Sequence, residues 1–480
     1  MSRIFYTLFL LAFTIMVSAI DKPEKPILFK GKVSCKGQGV AGVMVTDGVS
    51  VTQTDNKGEY LLTGNKNSEF VYLSSPAGYA VPVENSVPQF FHRIKENEKS
   101  NINFQLLPTN SDETQHGFVV WADPQIKSVK EAQQAREVVN DLKDFIDHHS
   151  RITFHGMGCG DIVGDNPILF DSTKTMLSEL KIPFYQSIGN HDMHYDNRSN
   201  ESAAEMFKNH FGPDYYSFNR GEIHHVVLND VFYVGRDYFY IGYLEEEQLS
   251  WLEKDLSFVK PGTTVVVALH IPTALNEEDI QQFSYSNISK SVANKKALYK
   301  ILEPYQGHII SGHMHVSNNV VISPKLFEHN VSSVCGAWWQ GPFAQDGTPK
   351  GYAVFEANGA ELSWYFKSAG YTKEHQFRVY NVGENQEQME YITANVWNWD
   401  PAWKIFWYEN GKKMGEMEQY SGKDPGTVDA FSDKDKLDYK WIGAATTNHL
   451  FRARPQNSSA EITVEVIDRF GNSYSKKIEK

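Results

Sequence analysis

A chain of 480 residues, 41% hydrophobic, 13% aromatic and 22% charged, has material for two or three domains and excludes collagen-like, coiled-coil and wholly disordered classes. Its 46 Lys and Arg against 59 Asp and Glu leave a formal net charge of −13, a field that repels phosphate backbones and argues against nucleic acid as a partner. An anionic substrate then needs local positive charge, which bound metal supplies.

Ser2 and Arg3 precede an apolar run from Ile4 to Val17, and Ser18 and Ala19 follow it. A basic start, an apolar stretch and small residues at its end predict a signal peptide over residues 1–19. The expected product is exported, periplasmic or secreted, with no stable membrane span after processing. Three cysteines, Cys35, Cys159 and Cys335, are too few for a disulfide framework and predict buried free thiols.

Residues 20–107 read as an N-terminal β-sandwich. Short apolar runs (Ile27 to Ser34, Val43 to Thr46, Ser50 to Thr54, Glu59 to Leu62) are separated by turn residues at Asp47-Gly48, Asn56-Lys57-Gly58 and Ala77-Gly78. The stretch from Gly31-Lys32-Val33 to Asp55-Asn56-Lys57-Gly58-Glu59-Tyr60 resembles carboxypeptidase regulatory-like modules. The polar run Pro108 to Gln115 reads as a linker. From there strands alternate with helices, which predicts an α/β domain over 116–350. Lys130 to His149 has helical periodicity, with Ala132, Ala135, Val138, Val139, Leu142, Phe145 and Ile146 on one face. Residues 352–480 return to short strands, starting with Tyr352 to Phe355 and Leu362 to Phe366, and predict a C-terminal β domain. Core packing is the favoured role for its Trp397, Trp399, Trp403 and Trp407.

What ends the strands of the middle domain carries the chemistry. Val119-Val120-Trp121-Ala122 runs into Asp123-Pro124-Gln125, and Phe154 to Gly160 runs into Asp161-Ile162-Val163-Gly164-Asp165. Tyr185 to Ile188 leads to Gly189-Asn190-His191-Asp192, Val265 to Leu269 to His270, and Ile309 to Ser311 to Gly312-His313-Met314-His315. Ligands of α/β sheets gather at the carboxyl ends of strands, so these distant residues are expected in one crevice. Carboxylates with imidazoles suit Mn, Fe or Zn better than Mg or Ca. His194 and the pair Trp338-Trp339 lie near these motifs, with surface or core roles as plausible as a part in the pocket.

These five blocks, in this order, resemble the calcineurin-like metallophosphoesterase superfamily over about residues 117–345, and the flanking modules resemble those of exported bacterial members. Phe211 to Phe218 and Gln248 to Leu252 add to the likeness. The resemblance implies a central four-layer α/β/β/α sandwich between N- and C-terminal β-sandwich-like domains. It implies two divalent metal ions (Mn, Fe, Zn or Mg): Asp123 and His315 at the first, Asn190, His270 and His313 at the second, and Asp161 bridging. It further implies phosphate mono- or diester hydrolysis by a hydroxide shared between the metals, with His191 as general acid at the leaving oxygen.

Two positions depart from the family pattern. Gln125 stands where His is usual, which makes the first site harder and favours Mn or Mg; Asp-Pro-Gln here resembles a serine/threonine phosphatase-like branch. The acid that orients the motif histidine usually lies three residues after the bridging Asp, where this chain has Gly164; Asp165 or Asp192 takes that role. Expected substrates are phosphorylated small molecules, lipids or glycans. The competing reading is a catalytically degenerate surface-binding protein on the same scaffold; retention of all the motif residues except the first histidine argues against it.

Overall fold

The computed structural model describes residues 27–65, 67–95, 101–109, 113–235, 239–282, 284–457 and 459–478. The expected signal peptide, 1–19, lies outside the described residues. Among the described residues no helix is long and apolar enough to cross a membrane.

The N-terminal module is two facing β-sheets. One pairs Ile27–Cys35 with Glu59–Gly64, Gln38–Gly39 and, in parallel, Phe104–Pro108; the other runs Phe91–Arg93, Phe70–Ser74, Met44–Thr46, Val51–Gln53. Val33, Val43, Val45, Leu62, Val71 and Leu106 fill the space between. Glu113, in the expected linker, is buried rather than solvated and accepts a hydrogen bond from the Gly78 N–H at 2.6 Å.

The central domain packs two sheets face to face. In the first, Phe184–Ser187, Thr153–Cys159 and Gln115–Trp121 lie parallel. In the second, Ile223–Val227, Thr264–Ala268, Gln306–Ser311 and Leu326–Asn330 lie parallel, with Tyr216–Arg220 and Asn318–Ser323 as antiparallel edges. Alternation along each strand assigns the two faces. Phe118, His155, Met157 and Phe355 meet His225 and Phe218 across the interior, with Phe118–His225 centroids at 5.2 Å and His155–His225 at 4.8 Å. Val119, Trp121 and Phe154 point the other way, onto Ala135, Val138, Val139, Leu142 and Phe145 of the helix Val129–His148. That helix starts where the Ser128 side chain accepts the Glu131 N–H, an N-cap bond. The helices Glu246–Leu256 and Lys295–Leu302 bury Trp251, Leu252, Leu298 and Leu302 under the second sheet, completing four layers.

One boundary differs from the sequence reading. Gly351–Asn358 and Glu361–Ser368, expected to open the C-terminal domain, belong to the first central sheet, with Gly351–Asn358 antiparallel to Gln115–Trp121. Without them Gln115–Trp121 would be a bare edge strand in the middle of the fold, and Phe118 would lose the Phe355 ring stacked on it at 4.7 Å. The C-terminal module proper follows as two four-stranded sheets, one holding Ile392–Asn395 and Thr446–Ala453, the other Lys404–Glu409 and Ile462–Ile467. Trp403 and Trp407 are buried between them and Trp399 packs against that core, while Trp397 is buried in the main core.

Candidate metal centre

The five strand ends converge. Asp123, Asp161 and His315 form a first group whose ligand atoms lie within 4.8 Å of one another, and Asp161, His270 and His313 form a second. Asp161 is common to both. The first sheet contributes Asp123, Gln125, Asp161 and Asn190; the second contributes His270, His313 and His315. The backbone bends sharply to present them. Of thirteen non-glycine residues with positive φ among those described, eight are here: Asp123, Gln125, Asp161, Asp165, His313, His315, Trp338 and Trp339. Left-handed backbone at such residues costs of order 1–3 kcal/mol each and clusters at functional sites. Gly160 is required: at φ +76° a Cβ there would stand 2.6 Å from the His270 ring and 2.8 Å from the Gly189 backbone.

Counting protons shows what the second group of ligands lacks. Burial holds His270 below the usual histidine range and, with the neighbouring His270 ring, pushes His313 down to about 3, so both rings are neutral with one N–H each. His270 donates Nδ1–H to the Cys159 carbonyl at 2.7 Å, and His313 donates Nε2–H to the Ser289 carbonyl at 2.9 Å. The remaining lone pairs, His270 Nε2 and His313 Nδ1, face each other at 3.1 Å. Asn190 Oδ1 is 3.0 Å and Asp161 Oδ1 is 3.3 Å from the same His270 Nε2. Four acceptors gather with no proton among themselves, the His191 backbone N–H reaching Asp161 Oδ1 from outside, and each imidazole is fixed in its tautomer by a carbonyl behind it, the usual outer support of a metal ligand. This donor set fits a divalent cation.

The first group is similar but partly filled. His315, pushed down to about 3 by burial, lies 3.6 Å from Asp123 Oδ1. The Gln125 amide stands among the ligands: Nε2 donates to Asp161 Oδ2 at 2.7 Å and lies 3.1 Å from His315 Nε2, while Oε1 is buried without a partner. A half-turn of that amide gives its oxygen to the same point. Burial and the nearby Asp161 charge raise Asp123 well above the usual carboxylate range. Burial acts the same way on Asp161, but His270, His191 and His313 around it bring it down to about 2.

The structure places Asp165 and Asp192 differently. Asp165 Oδ1 is 2.5 Å from His191 Nδ1, and Lys127 Nζ is 4.0 Å from its other oxygen. Asp192 is buried and accepts the backbone N–H groups of Gly189 and Val163, so it holds the loop rather than the imidazole. His191 donates its backbone N–H to Asp161 Oδ1 at 2.8 Å, and its ring is not part of either ligand group. His194 is in neither ligand group; its backbone N–H bonds the Ala203 carbonyl at 2.9 Å.

Several contributors escaped the sequence reading. Asp230 accepts the backbone N–H groups of His270 and Ile271 at 3.1 and 2.9 Å. It follows the strand Ile223–Val227 closely, so the strand-end rule applied to Leu228-Asn229-Asp230 would have found it. Buried Glu328 binds Thr273, Ala274 and Ser311, tying the His270 loop to the His313 strand. Trp338 stacks on His315 with centroids 4.2 Å apart, and Trp339 is buried with its indole N–H on the Pro124 carbonyl. Cys159 and Cys335 are buried free thiols beneath the centre, and Cys35 is free and half-buried.

Two family models match separate parts of the chain. The family described as N terminal of Calcineurin-like phosphoesterase matches residues 28–109, and that described as C terminal of Calcineurin-like phosphoesterase matches residues 328–474. The human serine/threonine-protein phosphatase CPPED1 is 30% identical over 167 residues, 33% of this chain and 52% of that protein. The zebrafish (Danio rerio) protein of that name is 27% identical over 203 residues, covering 40% and 60%. The chain thus spans about half the length of the curated relatives it matches. Among solved structures, a dimetal phosphatase from Danio rerio aligns with 53% of this chain and 96% of its own at 15% identity and TM-score 0.37. A 5'-nucleotidase from Candida albicans aligns with 55% and 53% at 11% identity and TM-score 0.33.

Proposed function

We propose that this chain, a calcineurin-like phosphoesterase by its matches to the N- and C-terminal domains of that family, is a metal-dependent hydrolase of phosphate esters with a two-metal centre. The observation that carries the reading is the meeting of His270 Nε2, His313 Nδ1, Asn190 Oδ1 and Asp161 Oδ1 with no proton among themselves. Two divalent cations held by such ligands supply Lewis acidity, a lowered water pKa and a clamp on phosphoryl oxygens.

The protein's own groups account for the rest. Asp161, central to both ligand groups, sets the distance between them. His191 lies beside Asp161, outside both groups, with Asp165 holding Nδ1; Nε2 is left to give a proton or hydrogen bond to a departing oxygen. Burial lowers the His191 ring, but Asp161 and Asp165 outweigh it and raise the ring above its ordinary value. Gln125, with its amide in the first group, makes that cation the weaker-held of the two; Mn fits this mixed set of amide, carboxylate and imidazole.

The test is elemental analysis of the purified protein together with phosphate release from mono-, di- and pyrophosphate esters after Mn loading. Two bound ions and turnover of at least one class are expected. A protein that stays metal-free in excess Mn would end this reading. Export belongs to the same proposal, supported by the basic, apolar and small-residue pattern of residues 1–19; a mature N-terminus after Ala19 is the expected sequencing result.

A further inference from the structure

From the two ligand groups an unbroken rim of side chains runs outward and returns. Trp338 lies flat on His315 at 4.2 Å. Trp441 meets Trp338 edge-to-face at 4.5 Å, and Tyr439 follows at 6.1 Å from Trp441. Lys127 Nζ sits 5.5 Å over the Tyr439 ring and 4.0 Å from Asp165, which holds His191 beside Asp161. The rim thus joins the ligand His315 to the leaving-group side of the centre, and its outer arc comes from the C-terminal module.

Trp441 is the anomaly in this rim. Of the ten tryptophans, it alone is exposed, at 60%. It is nevertheless firmly mounted. The Gln340 side-chain oxygen accepts the N–H groups of Asp438 and Tyr439 at 2.6 and 3.2 Å, and Gln345 bonds Gly443 and Ala445 at 2.8 Å each. Phe431, Leu437 and Ile442 pack on Ala337 beneath it. An indole held rigid at low entropic cost, with its ring in solvent and one ring, Trp338, between it and His315, is suited to receive another ring. A cationic guest is disfavoured, because Lys127 already occupies the Tyr439 face and adds positive charge to the rim.

Resting on the proposed phosphoesterase activity, we infer that Trp441, with Trp338 and Tyr439, forms a platform for the leaving group. The preferred substrates are phosphate esters whose alcohol carries a neutral ring with a flat or apolar face, a nucleoside base or a pyranose. Lys127 accommodates additional anionic charge on the same side.

The experiment uses the full-length, Mn-loaded protein. It compares kcat/KM for adenosine 5'-monophosphate, glucose 6-phosphate and glycerol 3-phosphate, and for their methyl diesters. One ring ester is expected to exceed its acyclic counterpart by about tenfold or more, the scale of ring stacking on an aromatic side chain. The adenosine and glucose arms identify which ring. Trp441→Ala should collapse that ratio towards one, and Trp441→Phe should restore most of it. Equal kcat/KM for ring and acyclic esters, or an unchanged ratio in Trp441→Ala, overturns the inference and leaves the phosphoesterase reading intact. If no ester is turned over, that reading fails, and tryptophan fluorescence titrated with adenosine and with methyl glucoside decides the platform. Saturable quenching lost in Trp441→Ala retains it as a ring-binding site, and its absence discards it.

Discussion

Replacing His191 by alanine separates proton delivery from metal binding. The two properties reside in different atoms of one residue. The ring contacts Asp165 through Nδ1, whereas the bond to the central ligand Asp161 comes from the His191 backbone N–H at 2.8 Å. Alanine removes the first contact and keeps the second, so both ions should remain at wild-type stoichiometry. General acid catalysis contributes about 10²–10⁴ in rate, and at about 1.4 kcal/mol per tenfold this is roughly 3–5 kcal/mol of barrier. The loss should approach that range for alkyl esters, whose leaving alkoxide needs a proton, and shrink for 4-nitrophenyl esters, whose leaving phenolate does not. Asp165→Asn should follow the same trend with a smaller loss, roughly two- to fivefold, because its carboxylate is 41% exposed and solvent screens it. The assay is kcat across a leaving-group series, with metal content measured on each variant. Equal slowing of good and poor leaving groups, or loss of an ion in His191→Ala, would refute the assignment.

Asp161→Asn should lose both ions and all turnover, since one carboxylate serves the two ligand groups; retention of either ion at wild-type affinity contradicts this. Gln125→His should tighten the first cation, on the order of 10–100-fold as for other changes around metal ligands, read by competition with a chelator. An unchanged titration means that Gln125 does not coordinate. Stability should also fall in acid. Burial, reinforced by neighbouring imidazoles, holds His155 and His225 well below the usual histidine value, and none of their four ring nitrogens has a partner. The unfolded chain binds protons there below pH ~6.5 and the folded chain does not, so stability is full above that pH and lost beneath it. The slope is about 1.4 kcal/mol per histidine per pH unit. His155→Phe should flatten the acid limb of a urea-midpoint profile; an identical limb would place the acid sensitivity elsewhere.

The centre was legible in the sequence because its residues are punctuation. Each ends an apolar strand at a point where the chain stops burying itself, and Gly160, Gly189 and Gly312 mark where backbones crowd. The choice between Asp165 and Asp192 was not legible. Both are one short loop from the ligands, and only the fold reveals that Asp192 is occupied by backbone N–H groups. The domain border at 350 was misread for a similar reason. Tyr352 to Phe355 and Leu362 to Phe366 have the alternation of any hairpin, and nothing local says that the first of them pairs with Gln115–Trp121, more than two hundred residues earlier. Trp441 was passed over because an aromatic in a polar loop has no periodicity to flag it.

The ligands divide between the two sheets: Asp123, Gln125, Asp161 and Asn190 on one side, His270, His313 and His315 on the other. Any ion seated there is a bolt through two plates. Its coordination sphere closes only when the sheets are correctly spaced and aligned, and that spacing is set well below the centre by Phe118, His155, Phe218 and His225 in the layer between them. The interior aromatic layer therefore acts as a shim: a change of one ring's volume, far from any phosphate, alters the gauge at which the two halves of the coordination sphere meet.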